Sequence, residues 1–406
     1  MTIDQPAAHG GAAQPGGASD GAGGFVGAVT EPAIPRYATT RRTDPAGAAD
    51  ELAAALDAPA QALVCVFGDP PLLRADGMAA ALHARLGAGM LVGCTTAGEL
   101  CPEGYAQGTL TAFALPASDY MVATALIENV SRAGPEAAAQ AVVDAELRLR
   151  RMGAVIDSEH CFALLLVDGT TRAEEELCYA LQAALGQVAL VGGSAADRLE
   201  FARTEVLYGG RLYDDAAVLV LVATDRPFTV FRSQHIVATG TKLVVTGARA
   251  RERVVTEIGG MPAAEAYAEL VGVPVEALAP EVFARHPLLV RMGGRWYVRA
   301  IQKAHADGSL SVFCAIESGL VLSLGRNLDM VADLERVLDE ARGRVGTPRL
   351  VIATECILRR LEAEALGLGP ALARLFARHR LVGFSTYGEQ AGAVHVNQTC
   401  TGVMLG

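Results

Sequence analysis

From about residue 60, short apolar runs bounded by Gly, Asp or Thr alternate with segments whose apolar residues recur at every third or fourth position, the signature of strands and amphipathic helices. One unit of this pattern occurs three times. The first copy opens on ALVCVFGDP (62–70), continues through a predicted helix that carries Met78, Leu82 and Leu86 with Asp76 as its N-cap, and ends in LVGCTTAGEL (91–100). The second opens on FALLLVDGT (162–170). Its helix carries Leu177, Leu181 and Leu185, Thr171 and Glu174 have the spacing of a capping box, and it ends in LVGGSAADRL (190–199). The third runs from LVIATECIL (350–358) through Leu372, Leu375 and Phe376 to LVGFSTYGEQ (381–390). Each copy has the length of a βαβ crossover, so its two strands are expected to be parallel and buried.

Antiparallel signals lie between the copies: GTLTAFAL (108–115), MVATALIENV (121–130), and EVLYGGRLYDDAAVLVLVA (205–223) turning at Gly209-Gly210. Further on, LLVRMGGRWYVRAIQ and HADGSLSVFCAIESGLVLSL read as a meander turning at Gly293-Gly294 and Asp307-Gly308. The expected fold is α/β in two lobes, with repeated strand–helix–strand units in mixed sheets and an antiparallel meander. Residues 1–45, rich in Gly, Ala and Pro without periodicity, read as a disordered tail. The first lobe is expected over 46–250 and the second over 251–406, a helix begun by Pro262 following the boundary.

The 406 residues suit two or three domains. Lys+Arg 34 against Asp+Glu 45 gives a net charge of −11, which argues against a nucleic-acid partner. The apolar stretch Ala216–Ala223 is far short of a membrane span, and no secretory pattern precedes Arg36, so a cytoplasmic protein without a membrane partner is expected. The eight cysteines show no CxxC or metal-type spacing and read as reduced, buried thiols.

The segments LVGCTTAGEL, LVGGSAADRLEF, KLVVTGARAR with EIGGMPAAEAYAELVG, and LVGFSTYGEQAGAVHVNQTCTGVMLG resemble FIST-domain proteins, bacterial sensory proteins with an N-terminal and a C-terminal FIST lobe. The stretches HPLLVRMGGRWYVRAIQ, FCAIESGLVL and ECILRRLEAE are most similar to the nitric-oxide-sensing hemoprotein (NosP-type) branch. The resemblance implies a signal-transduction sensor and not an enzyme. It further implies haem b (iron protoporphyrin IX) as cofactor, nitric oxide as ligand, and as partner a histidine kinase of a two-component system or a cyclic-di-GMP cyclase or phosphodiesterase. A homo-oligomer is compatible with this.

A haem sensor needs one axial protein ligand and an open iron face. His235 is the first choice, since alternation places it with Phe231 and Val237 on one face, and the resemblance puts a histidine at this place; from the pattern alone it reads equally as a core histidine. His395, expected to bond within the terminal VNQT strand, His286 before Pro287, and Tyr387 are lesser candidates for haem contact. Arg232, Arg299 and Arg291 are candidate propionate partners. His83, His160, His305 and His379 read as solvated, His9 falls in the tail, and Cys101-Pro102 reads as a loop thiol.

Two rival readings use the LVG turns. In one, Gly93, Cys94 and Thr95, Gly192, Gly193 and Ser194, and Gly383, Ser385 and Thr386 bind a small anionic metabolite such as an amino acid through backbone N–H groups, and no haem is present. The bland version of the same feature is three tight turns that need small residues. In the other, Cys94 or Ser194 is a nucleophile, but GGSAA (192–196) is not a G-x-S-x-G elbow.

Overall fold

The chain is described by a computed structural model over residues 34–57, 61–87 and 90–406. The apolar runs of the three units pair in parallel as expected: Gln61–Gly68 with Leu91–Thr95, Cys161–Val167 with Ala189–Ser194, and Leu350–Cys356 with Leu381–Thr386. The glycine of each LVG has a single cause. Gly93, Gly192 and Gly383 lie opposite Val66, Leu165 and Ala353, and in all three places a Cβ would collide with the partner's carbonyl oxygen.

Each unit is the centre of a longer repeat. An edge strand and a helix precede it: Arg36–Thr40 and Pro45–Leu56, Met121–Glu128 and Pro135–Arg151, Phe228–Ser233 and Met330–Val345. A closing antiparallel strand follows it: Leu110–Pro116, Ala216–Ala223 and Cys400–Leu405. The result is three six-stranded mixed sheets of one design, in the order edge strand, closing strand, first unit strand, LVG strand, hairpin.

The hairpins are exchanged in a cycle. The hairpin of the second repeat (Val206–Tyr208 and Arg211–Tyr213) pairs with the LVG strand of the first; that of the third (Glu389–Ala391 and Val394–Val396) pairs with the second; that of the first (Glu99–Cys101 and Gly104–Ala106) pairs with the third. The inner faces of the three sheets share one core, which includes Phe67, Phe162, Val220, Ile352 and Phe384, with the Phe67 and Phe384 rings 4.7 Å apart. Helices cover the outer faces through Leu52 and Leu82, Val142 and Leu181, and Leu334 and Phe376.

The third repeat carries an insertion between its edge strand and its first helix. Residues 236–327 form a fourth, antiparallel sheet, with Leu288–Met292 and Arg295–Arg299 turning at Gly293-Gly294 as the sequence suggests. It covers the carboxyl ends of the LVG strands, where Ala97, Ala196 and Tyr387 of the repeats meet Ile236, Leu289 and Phe313 of the insertion. Ten helices and four sheets make up the described residues. Among these residues no helix is long and apolar enough to cross a membrane.

Several local expectations are corrected. The tail reading fails over residues 36–45, because Arg36–Thr40 pairs residue by residue with Leu110–Ala114 and a helix starts at Pro45; residues 1–33, with His9, lie outside the described residues. Gly77, at φ 78°, and not Asp76, precedes the helix Met78–Leu86. Glu174 forms no capping box, its carboxylate being drawn to Arg253 at 2.5 Å. Residue 250 falls in the short turn joining Ile236–Arg249 to Val254–Ile258, inside the antiparallel sheet.

Candidate functional site

The carboxyl ends of the three LVG strands converge and bond to one another. Ala196 N–H donates to Thr95 O (2.9 Å), Ala97 N–H to Ser385 O (3.0 Å), Ser385 N–H to Gly98 O (2.7 Å), Ser194 N–H to Gly388 O (2.9 Å), and Thr386 Oγ1 to Ser194 O (2.6 Å). Gly93, Cys94, Thr95, Gly192, Gly193, Ser194, Gly383, Ser385 and Thr386 are thus brought together, but all are buried. Several of their donors are used in holding the repeats to each other, while the buried Ser385 Oγ has no partner among the described residues. Ser194 Oγ accepts from Gln390 Nε2 (3.1 Å), and burial pushes the Cys94 thiol well above its ordinary range, so neither is arranged as a nucleophile.

Just outside these turns, a cleft of about 200 Å³ opens between the repeats and the inserted sheet. Gly169, Thr170, Arg172, Glu174 and Phe201 line it from the second repeat and Tyr387 from the third; Glu252, Arg253, Gln302, His305, Ser311 and Phe313 line it from the insertion. Phe201 stacks on Tyr387 (4.6 Å between centroids) and meets Phe313 (5.7 Å), so one wall is aromatic. Asp197 builds that wall. Its carboxylate accepts from the N–H groups of Phe201, Ala202 and Arg203, each at 2.8 Å, and from Tyr387 Oη, holding a loop in which Arg198, Leu199 and Phe201 all have positive φ. Burial, reinforced by Asp197, pushes the Tyr387 hydroxyl far above its usual range, so it stays a donor.

The polar lining carries both charge signs. Arg253, itself at φ 53°, donates to Glu174, to Glu175 and to Phe313 O (2.6 Å), tying the second repeat to the insertion. Burial opposes its charge, but the two glutamates hold it strongly protonated. His305 Nε2 pairs with Ser311 Oγ at 2.5 Å, and Arg172 stands exposed at the mouth. Neither Phe201 nor Arg253 was singled out by sequence reasoning, and Glu174 was read only as a helix cap; the positive-φ loop and the Glu174–Arg253 pair, both long-range products of folding, mark them.

His235 lies between the strands Phe228–Ser233 and Ile236–Arg249, where the chain crosses from the third repeat into the insertion, and its ring is wholly buried. Arg359 Nη1 donates to Nδ1 (2.8 Å), and since arginine only donates, Nε2–H must donate to Glu362 Oε2 (2.9 Å). Burial, with the adjacent Arg359, lowers the pKa of this neutral imidazole against the pull of Glu362. Arg359 also donates to Glu355 (3.1 Å), which accepts from Tyr105 Oη (2.6 Å). An axial ligand must offer iron a free ring lone pair beside porphyrin-wide space. The Nδ1 lone pair of His235 is already engaged, and the residues around the ring do not fit haem.

The other candidates do not assemble around it. Arg232 lies over the Tyr297 ring (5.1 Å) and Arg291 over Trp296 (6.0 Å); Arg299 is buried beside Met292 Sδ (3.7 Å). His286 caps a short helix, its carbonyl accepting from Tyr267 Oη (2.8 Å). Tyr387 belongs to the aromatic wall. Among the histidines read as solvated, His379 is buried, while His83, His160 and His305 are half-buried, with His160 bonded to Asp157 (2.8 Å). His395 does not bond within its strand as expected: it is buried, and its Nδ1 has no hydrogen-bond partner.

Comparison with known families matches residues 62–261 to the FIST N domain and 263–392 to the FIST C domain. This chain is a FIST-domain protein. A search of curated proteins finds no match. FIST domains are associated with signal transduction through small ligands, and the FIST N and FIST C segments meet at Met261-Pro262, within the inserted sheet. The FIST cleft therefore takes its walls from both segments.

Proposed function

We propose that this FIST protein senses a small zwitterionic metabolite of the amino-acid kind, bound without haem in the cleft between the repeats and the inserted sheet. The observation that carries the reading is the lining itself: an exposed guanidinium (Arg172), carboxylates (Glu174 and Glu252) and an aromatic wall face one space of about 200 Å³. Drug-sized pockets run to about 300–1,000 Å³, so this one suits a ligand of few heavy atoms. A carboxylate at Arg172, an ammonium group toward Glu174 or Glu252 and an apolar side chain against Phe201 would use each feature once. Because its walls belong to separate parts of the fold, a ligand touching both favours their closed arrangement, and that differential affinity is the signal. The output passes to a histidine kinase or a cyclic-di-GMP enzyme, the partner classes that the family resemblance suggests.

The test is thermal unfolding of the full chain with each common amino acid and with its amine and acid halves. At a ligand concentration about 100 times Kd the stabilisation is about 2.7 kcal/mol, a shift of several degrees. At least one amino acid should give such a shift, its separate amine and acid should not, and Arg172→Ala should remove it. A stoichiometric hemin spectrum that disappears in His235→Ala would overturn the proposal in favour of a haem sensor.

A further inference from the structure

The same junction holds a cluster that the cleft does not use. Glu175 on the helix Glu174–Leu185, Cys314 just after the strand Leu310–Val312, and His395 on the hairpin that the third repeat lends to the second bring a carboxylate oxygen, a thiol sulfur and a ring nitrogen within 4.8 Å of one another. Cys314 and His395 are wholly buried. The unpartnered Nδ1 of His395 is a second, independent sign, since a buried polar atom left without a partner forfeits its hydration with nothing in return. Gly388 leaves room for this ring: a Cβ there would collide with Cε1 and Nε2.

The other two groups each have hydrogen-bond partners. Ala315 N–H donates to Glu175 at 2.5 Å and Arg253 donates to its other oxygen, while the Cys314 thiol donates to Asn397 Oδ1 at 2.8 Å. We infer that Glu175, Cys314 and His395 form a three-ligand site for a zinc-class divalent cation, with a fourth position left for water or another small ligand. Sulfur with imidazole selects such a metal over magnesium or calcium. Bonds of 2.0–2.3 Å in a tetrahedron set ligand atoms roughly 3.3–3.6 Å apart, so the cluster closes by about 1 Å, movement that the partly exposed Glu175 side chain can supply.

Burial keeps the metal-free thiol protonated and the imidazole neutral. On binding, the sulfur–hydrogen bond breaks, the sulfur–metal bond forms, and one proton leaves to solvent per cation bound. Asn397 Oδ1 then loses its donor, and its Nδ2 can turn to the thiolate only by giving up its 3.3 Å hydrogen bond to Tyr387 O. Arg253 and Arg299 are the cations near the cluster, and Glu174 and Glu175 offset them. The inference stands on these residues alone and does not require the amino-acid reading.

The experiment is a titration of the metal-stripped full chain with Co²⁺ and then Zn²⁺, with no other ligand present. One Co²⁺ per chain should bind with a thiolate-to-cobalt absorption band and release of one proton, and Zn²⁺ should displace it. Cys314→Ser should lose the band, and Glu175→Gln should bind at least tenfold more weakly. The absence of a stoichiometric band in the wild type, or its survival in folded Cys314→Ser, overturns the site. Should Cys314→Ser fail to fold, unchanged affinity in Glu175→Gln overturns it and a tenfold loss supports it.

Discussion

At the scale of single residues, burial decides what each polar group does. Alternation set His235 on an apolar face, and the ring is indeed buried, but Glu362 and Arg359 arrive from a helix more than a hundred residues away and bond both of its nitrogens. Nothing local in the sequence signals that encounter, so its burial was legible and its chemistry was not. His235→Ala should leave Arg359 and Glu362 short of partners in the interior and cost about 2–4 kcal/mol in urea unfolding. Glu99 makes a sharper test through pH. Burial, with Asp69 nearby, raises its pKa from 4.5 to about 7, against the hydrogen bonds from Thr109 and Thr96 and the charge of Arg360. The folded state thus holds a proton that the unfolded chain gives up, so this contribution to stability is complete below about pH 4.5 and lost as pH rises through 7. Glu99→Gln should match the wild type near pH 4.5 and exceed it in Tm above pH 7. His235, His379 and His395, all with lowered pKa, act in the other direction and lose stability as pH falls below about 6.5.

At the scale of elements, the three strand–helix–strand units were legible because their apolar periods are local and their LVG endings repeat. The Gly192–Leu165 and Gly383–Ala353 contacts explain why that ending does not vary: the two backbones touch there. Gly383→Ala should cost about 3 kcal/mol or more, or prevent folding, whereas Gly343→Ala, on an open helix face, should be neutral or slightly stabilising; chemical denaturation measures both. The hairpin exchange was not legible. A hairpin shows its own turn, as Gly209-Gly210 does, but not the strand it will join, and Glu389–Ala391 pairs with residues almost two hundred positions earlier. The exchange predicts that residues 34–261 and 263–406 made separately will not give native-like amide spectra, because each would leave an LVG strand without its added hairpin. Two well-dispersed spectra from the isolated pieces would contradict the cyclic arrangement.

At the scale of the whole molecule, two lobes in sequence become three interlocked repeats with one inserted sheet closing over their carboxyl ends. The turns were expected to bind a ligand there. Several of the turn N–H groups are taken up by neighbouring strands and turns, and the cleft lies one layer further out, lined by side chains from Thr170 to Tyr387. Sequence reasoning found the edge because LVG endings mark strand termini, and it missed the lining because Phe201, Glu252 and Gln302 meet only when the insertion folds back. The measurement that bears most directly on the sensor reading is hydrogen exchange of the full chain with and without an equimolar mixture of the common amino acids. Slower exchange in both 169–177 and 302–313, with none added around His235, is the predicted result. Unchanged exchange at the cleft, or protection confined to the segments around His235 and Glu362, would contradict it.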